Sequence, residues 1–89
     1  MNPDEFRKLP TAPSSAPLAA LWHDSREEWE AAHTVVQTES TPAAAWVHAY
    51  LHRKEGDVSN ARYWYDRADK SEFTGSLEEE WVTLVESLS

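Results

Sequence analysis

Five tryptophans are spread along a chain of only 89 residues that contains no cysteine. A chain of this length folds as one domain and buries only about 60–65% of the surface that its unfolded form exposes. With no disulfide available, such a domain has to build its core from a few large side chains. The tryptophans lie at positions 22, 29, 46, 64 and 81, and each falls in a different segment of helical periodicity. We therefore expect a single small domain that is stabilised by aromatic packing.

The amino-terminal segment has a different composition from the rest of the chain. Four of the five prolines lie at positions 3, 10, 13 and 17, in a stretch without helical or strand periodicity. Residues 1–16 are therefore predicted to be a flexible proline-rich arm, and Phe6 and Leu9 are the side chains that would hold it against the body. The single helical domain is predicted over residues 17–89.

Apolar residues recur three and four positions apart over residues 18–36, on either side of a polar turn at residues 24–26. This pattern predicts two short antiparallel helices. A further helix is predicted at the carboxyl end, where Ser76 and Glu79 have the spacing of a capping box. The apolar stripe that follows gives this last helix one face to bury.

The middle of the chain has clear start and stop signals for a second helical pair. Thr41 is suited to cap a helix and Pro42 to occupy its first position, where a missing N–H costs nothing. Gly56 predicts the end of that helix, because glycine adopts the left-handed conformation found at helix carboxyl ends. Residues 58–69 resume a helical stripe. No segment alternates with a period of two, so no sheet is expected.

The two predicted hairpins align with each other at an offset of 29 residues, which matches Ala20 with Ala49 and Ala32 with Ala61. An internal repeat of paired helices is typical of tetratricopeptide-like stacks. The sequence therefore predicts an all-α fold of about five helices, in which a tetratricopeptide-like pair of hairpins is followed by a capping helix.

The block from Ala45 to Ala68 is the least generic part of the chain, with the sequence AWVHAYLHRKEGDVSNARYWYDRA. It resembles the signature AWxHAYLHRxEGDxxNAxYWYxRA of a family of small bacterial and fungal proteins. Its small-residue and turn positions are also similar to a tetratricopeptide or Sel1-type unit. The resemblance covers roughly residues 18–88 and implies a compact helical protein, but it implies no particular chemistry.

Histidines and carboxylates in this block are the candidate metal ligands. His48 and His52 are four residues apart on one face of the third helix, and Glu55 follows one turn later. Two helical histidines with a carboxylate can bind zinc or another divalent metal, and His33 or Asp57 would complete the ligand set.

A packing role for the same histidines is the preferred interpretation. Residues 49–51, between the two histidines, include no glutamate, so the zinc-protease pattern is absent. Both rings also fall where helix-packing residues sit in a tetratricopeptide alignment. In this interpretation they are partly buried and bonded to neighbours such as Asn60, Tyr63 or a backbone carbonyl, and no cofactor is predicted.

Aromatic and basic residues on other helix faces are the candidate binding surface. Trp46, Tyr50 and Arg53 share a face with Lys54 beside them, which favours a groove that receives a peptide or a carboxylate. The alternative is that the neighbouring hairpin or the last helix covers the two rings. The predicted binding groove comprises Trp46, Tyr50, Arg53, Lys54, Tyr63, Trp64 and Arg67.

Three consecutive aromatic residues, Tyr63, Trp64 and Tyr65, span about 200° of a helix surface. They cannot all face one small core, so at least one is expected at another interface. That interface is the last helix, a ligand groove or a second copy of the protein.

The charge balance narrows the functional classes. The chain has 16 acidic and 8 basic residues, which argues against nucleic-acid binding because phosphate contacts need clustered cations. The absence of cysteine and of any long apolar stretch favours a cytoplasmic protein without membrane contact. We expect a non-enzymatic interaction module that binds a protein, a peptide or itself. The alternative is a small metal-binding protein or metal-dependent enzyme.

Overall fold

The computed structural model describes all 89 residues and contains six helices and no strand. The helices are α1 (Pro3–Arg7), α2 (Ala16–Asp24), α3 (Trp29–Gln37), α4 (Pro42–Lys54), α5 (Val58–Arg67) and α6 (Leu77–Leu88). The predicted all-α class is confirmed, with one helix more than the five expected. No helix combines the length and the apolar character that a bilayer crossing requires.

The additional helix, α1, lies in the segment that was predicted to be a flexible arm. The Asn2 side chain caps it by accepting a hydrogen bond from the Asp4 amide at 2.8 Å, and Pro3 occupies its first turn. Phe6 is only 1% exposed and meets Trp81 edge to face at 5.8 Å. The expected contact of Phe6 with the rest of the domain is therefore confirmed. Residues 3–7, however, form a helix and not the flexible segment that was predicted. A five-residue helix is too short to show periodicity, and its proline starts the helix rather than breaking it.

Helices α2 and α3 pack as one hairpin, α4 and α5 pack as a second, and α3 also contacts α4. The predicted caps are present: the Thr41 hydroxyl accepts a hydrogen bond from the Ala44 amide at 3.1 Å. Gly56 has a φ of 90° at the turn between α4 and α5, in the left-handed region. This turn brings the end of α4 and the start of α5 to the same edge of the fold.

Helix α6 closes the fold by packing against α1, α2 and α4. Its capping box is formed as predicted, because the Ser76 hydroxyl accepts from the Glu79 amide and the Glu79 carboxylate accepts from the Ser76 amide. Trp81 is 3% exposed and donates its indole N–H to the Leu21 carbonyl oxygen at 3.1 Å. Helix α6 therefore joins the first hairpin to the second.

Helix α4 is the centre of the molecule, since every residue from Ala44 to His52 is buried. A helix with nine consecutive buried residues has neighbours all around it and no polar face. Side chains on several faces of α4 are therefore enclosed by other helices. They include side chains that the sequence spacing had assigned to separate surfaces.

Candidate metal centre

Three histidines meet where α3 lies against α4. His33 comes from α3, and His48 and His52 come from successive turns of α4. One ring nitrogen of each histidine lies within 4.8 Å of the corresponding nitrogens of the other two. His48 and His52 are buried and His33 is half-buried. The fold thus brings together three of the five predicted metal ligands, which we call the histidine cluster.

His33 and His48 contact each other directly, with 2.9 Å between their Nε2 atoms. Such a contact requires one ring to donate a proton and the other to accept it. The Nδ1 atom of His48 is buried and has no hydrogen-bond partner. A buried polar atom without a partner costs about 1–3 kcal/mol, so this ring is poorly satisfied by the protein alone.

His52 is oriented by a carboxylate, because its Nδ1 lies 2.7 Å from Oε1 of Glu55. An ionised carboxylate can only accept, so in the neutral ring Nδ1 carries the proton and Nε2 keeps its lone pair. A carboxylate on the far nitrogen is the usual companion of a metal-bound histidine, since it sets the tautomer and the ring orientation. Glu55 caps the carboxyl end of α4, and its position follows from the i, i+3 spacing to His52.

Two tryptophans form the walls of the histidine cluster. The Trp29 indole stacks on the His33 ring at 4.9 Å with 9° between planes, and Trp64 stacks on His48 at 3.9 Å and 12°. Trp29 is fixed by a 2.8 Å hydrogen bond from its indole N–H to the Leu51 carbonyl oxygen. These contacts restrict the rotation of two rings and shield the cluster from water.

Burial favours the neutral form of His33 and His48, which is the form that binds metal ions. Burial, and then the charges of His33 and His52, lower the pKa of His48 to about 4. Burial also lowers the pKa of His33, with a further contribution from His52 and an opposing one from Glu55. Ring lone pairs are therefore available at neutral pH, because the charged form is disfavoured inside the fold.

The donor set fits a borderline transition metal. Three imidazole nitrogens suit Zn²⁺, Cu²⁺ or Ni²⁺, and a fourth position stays free for water or another ligand. At metal–nitrogen bonds of about 2.0–2.1 Å, tetrahedral ligand atoms lie about 3.3 Å apart. The 2.9 Å contact of His33 with His48 would therefore open by only a few tenths of an ångström. The four surface cavities are lined by residues other than histidine.

The remaining predicted ligands, Glu55 and Asp57, do not join the three-histidine group. They form a second group with His52, again with ligand atoms within 4.8 Å of one another. Oδ1 of Asp57 also caps α5 by accepting from the Asn60 amide at 3.2 Å. The packing interpretation had expected Asn60 or Tyr63 as histidine partners, but the histidines bond to one another and to Glu55.

The predicted binding groove is not open at its aromatic floor. Trp46 and Tyr50 are 9% and 3% exposed, so both rings pack in the core, as the alternative interpretation had it. The Trp46 indole N–H donates to Oε2 of Glu80 at 3.3 Å, and the Tyr50 hydroxyl donates to Oδ2 of Asp24 at 2.6 Å. Helices α6 and α2, which carry these carboxylates, cover the face that was expected to be free.

The cations of the predicted groove are paired with the same two carboxylates. Arg53 contacts Oε1 of Glu80 at 3.0 Å and also donates to the Gly75 carbonyl oxygen. Lys54 contacts Oδ1 of Asp24 at 2.8 Å. Asp24 and Glu80 were not predicted as partners, because nothing in the local sequence marks a carboxylate that a distant helix will bury. Burial raises the pKa of Tyr50, and the charge of Asp24 raises it further.

The three consecutive aromatic residues face different surroundings, as their spacing predicted. Tyr63 is 53% exposed, Trp64 lies against His48, and Tyr65 is buried with its hydroxyl bonded to Oε2 of Glu80. Arg67 donates to the Tyr63 hydroxyl at 3.2 Å. Of the predicted groove, Tyr63 and Arg67 are exposed, while Arg53, Lys54 and Trp64 are partly exposed.

No known protein family, curated protein or solved structure matches the chain in comparisons with all three. The resemblance of residues 18–88 to small bacterial and fungal proteins, and to tetratricopeptide units, stays a prediction.

Proposed function

We propose that this protein binds a divalent transition-metal ion through His33, His48 and His52. The observation that carries the proposal is the convergence of three ring nitrogens within 4.8 Å, two of them on buried rings. Neutral imidazoles at this separation are the ligand set of Zn²⁺, Cu²⁺ and Ni²⁺. The carboxylate of Glu55 behind His52 supports it, because it holds the proton of the neutral ring on Nδ1 and leaves the lone pair on Nε2.

The position of the ligands indicates what the ion does for the protein. His33 belongs to the first hairpin, and His48 and His52 belong to the second. A bound ion would link the two hairpins, so part of its binding free energy appears as folding stability. The ion would also replace the direct contact of His33 with His48, in which only one of the two Nε2 atoms can donate a proton. We therefore propose a metal-binding protein whose metal stabilises the contact between α3 and α4.

The first prediction is that His33→Gln abolishes tight metal binding while His23→Gln does not. Both changes replace one of the four histidines, but only His33 contributes to the cluster. His23 is a matched control, since its Nδ1 also meets a carboxylate, at 2.8 Å from Glu28. Calorimetric titration of tag-free protein with Zn²⁺ measures the affinity, and Cu²⁺ should quench the fluorescence of Trp29 and Trp64.

The expected result is saturable binding that raises the melting temperature and is lost in His33→Gln alone. The absence of saturable binding in the wild-type protein would overturn the proposal. Equal loss in both variants would also overturn it, because it would place the binding outside the histidine cluster.

A second candidate function is self-association through exposed side chains of α5. Val58 and Tyr63 are 49% and 53% exposed on this helix. We propose that these two residues contact a second copy of the chain. The aromatic ring of Tyr63 is the type of side chain that is enriched at protein interfaces.

The second prediction tests this candidate by sedimentation velocity. The wild-type protein should be a dimer at tens of micromolar, and the double change Val58→Ser with Tyr63→Ser should make it a monomer. Thr34→Ser, an exposed change on α3, should leave the dimer intact. A wild-type protein that stays monomeric at this concentration would contradict the proposal.

A further inference from the structure

A cavity of about 220 Å³ lies where the loop between α3 and α4 faces α5. Sites for drug-sized ligands measure roughly 300–1,000 Å³, so this cavity suits a smaller molecule. The loop contributes Thr38, Glu39, Ser40 and Thr41 to its lining, and α5 contributes Trp64 and Arg67. None of these residues is a proposed metal ligand.

The two charged side chains of this cavity have no ionic partner. The Arg67 guanidinium donates to the Tyr63 hydroxyl at 3.2 Å but forms no salt bridge, and Glu39 forms none either. A cation and a carboxylate therefore line the same space without pairing with each other. Each of them keeps its bonding capacity for a ligand.

Neutral donors of the cavity are also unused. The indole N–H groups of the other four tryptophans each donate to a carbonyl or carboxylate oxygen, whereas that of Trp64 makes no hydrogen bond. The Thr41 hydroxyl accepts from the Ala44 amide, so its own proton is free to donate. The hydroxyls of Thr38 and Ser40 line the same cavity and add two further donors.

We propose that this cavity binds a free amino acid in its zwitterionic form. The carboxylate of the ligand accepts hydrogen bonds from the Arg67 guanidinium and the Trp64 N–H, with the loop hydroxyls as further donors. The ammonium group of the ligand donates to the Glu39 carboxylate. This site does not use the histidine cluster, so the inference goes beyond the proposed function.

The charges of the lining favour a zwitterion over a ligand with a single charge. An anion would gain Arg67 but would be repelled by Glu39, and an organic amine would gain Glu39 but would be repelled by Arg67. A zwitterion gives both side chains a partner of opposite charge. Ala45 and the Trp64 ring supply the apolar part of the lining, against which a small aliphatic side chain of the ligand can pack.

The third prediction is that a standard amino acid binds saturably to the metal-free protein and raises its melting temperature. The probes are the standard amino acids, each tested at millimolar concentration. The amide of the amino acid that binds lacks the carboxylate, and its N-acetyl derivative lacks the ammonium group. Each analogue should bind about tenfold more weakly, because it loses a charge-assisted hydrogen bond. Calorimetric titration measures the three affinities.

Two variants test the charged side chains of the cavity. Arg67→Gln and Glu39→Gln should each weaken the binding of the amino acid by about tenfold. Their controls are Arg62→Gln on the same helix and Glu30→Gln on α3, which alter exposed residues outside the cavity and should bind as the wild-type protein does. Trp64→Phe keeps an aromatic ring but removes the N–H, and it should weaken binding by about fivefold.

The outcomes keep this site separate from the proposed metal centre. The absence of saturable binding by every standard amino acid would overturn the inference. Equally tight binding of the amide or of the N-acetyl derivative would also overturn it, because one charge would then suffice. Wild-type affinity in both Arg67→Gln and Glu39→Gln would place the binding elsewhere and overturn it. His33→Gln should lose the metal ion and keep the amino acid, so a failure of either site is measured independently.

Discussion

His48 shows how one position acquires its properties from the side chains around it. It lies between the rings of His33 and Trp64, its Nε2 is shared with His33, and its Nδ1 has no partner. Burial and two neighbouring imidazoles make its protonated form costly. In the proposed function a metal ion takes the place of the proton at this ring, because its coordination would compensate for the lost hydration.

The fourth prediction concerns the pH dependence of stability in the metal-free protein. The pKa of His48 is about 4 in the folded state, against 6.5 in the unfolded chain. The unfolded chain therefore binds more protons between these values, so stability is full above pH 6.5 and falls as the pH decreases towards 4. By pH 5 the loss should be about 2 kcal/mol.

Urea denaturation at pH 7.5 and pH 5 with a chelator present measures this difference. His48→Gln should have a smaller difference than the wild-type protein, because it removes the titrating group. His23→Gln should keep the wild-type difference. Equal unfolding free energies at the two pH values in the wild-type protein would contradict the pKa shift.

Among the helices, α1 and α6 make the largest departure from the predicted arrangement. Helix α1 turns the expected arm into part of the core, since Phe6 packs against Trp81 of α6. Helix α6 then brings Glu80 under Trp46 and Arg53. A buried carboxylate needs a charged or hydrogen-bonding partner, and Trp46 and Arg53 supply it. Helix α6 therefore covers the face that was predicted to be a peptide groove.

The fifth prediction is that Phe6→Ala destabilises the protein by about 3–5 kcal/mol. The ring is 1% exposed, so its removal leaves a cavity against Trp81. If the ring belonged to a flexible arm, the same change would leave the free energy of unfolding of the protein unchanged. Phe73→Ala is the control, because this ring is only partly buried and lies outside the helices. Chemical denaturation followed by tryptophan fluorescence measures both, and a loss below 1 kcal/mol for Phe6→Ala would show that α1 is not docked.

For the molecule as a whole, local signals predicted the helices and tertiary packing decided the site. Thr41 and Gly56 mark helix ends through their own backbone and side-chain chemistry, so these ends were correct. The pairing of His48 with His52 also followed from spacing along one helix. These features depend on residues that are three or four positions apart, and such contacts form in almost any environment.

The spacing of residues along α4 did not determine which of its faces other helices would cover. The arrival of His33 beside His48, the stacking of Trp64 on the same ring, and the burial of Trp46 all join residues that are distant in the chain. Every face of the central helix α4 carries apolar or aromatic side chains, so its own sequence does not distinguish a binding face from a packing face. That choice was made by the neighbouring helices, because a small domain is stable only when nearly all of its large side chains are buried.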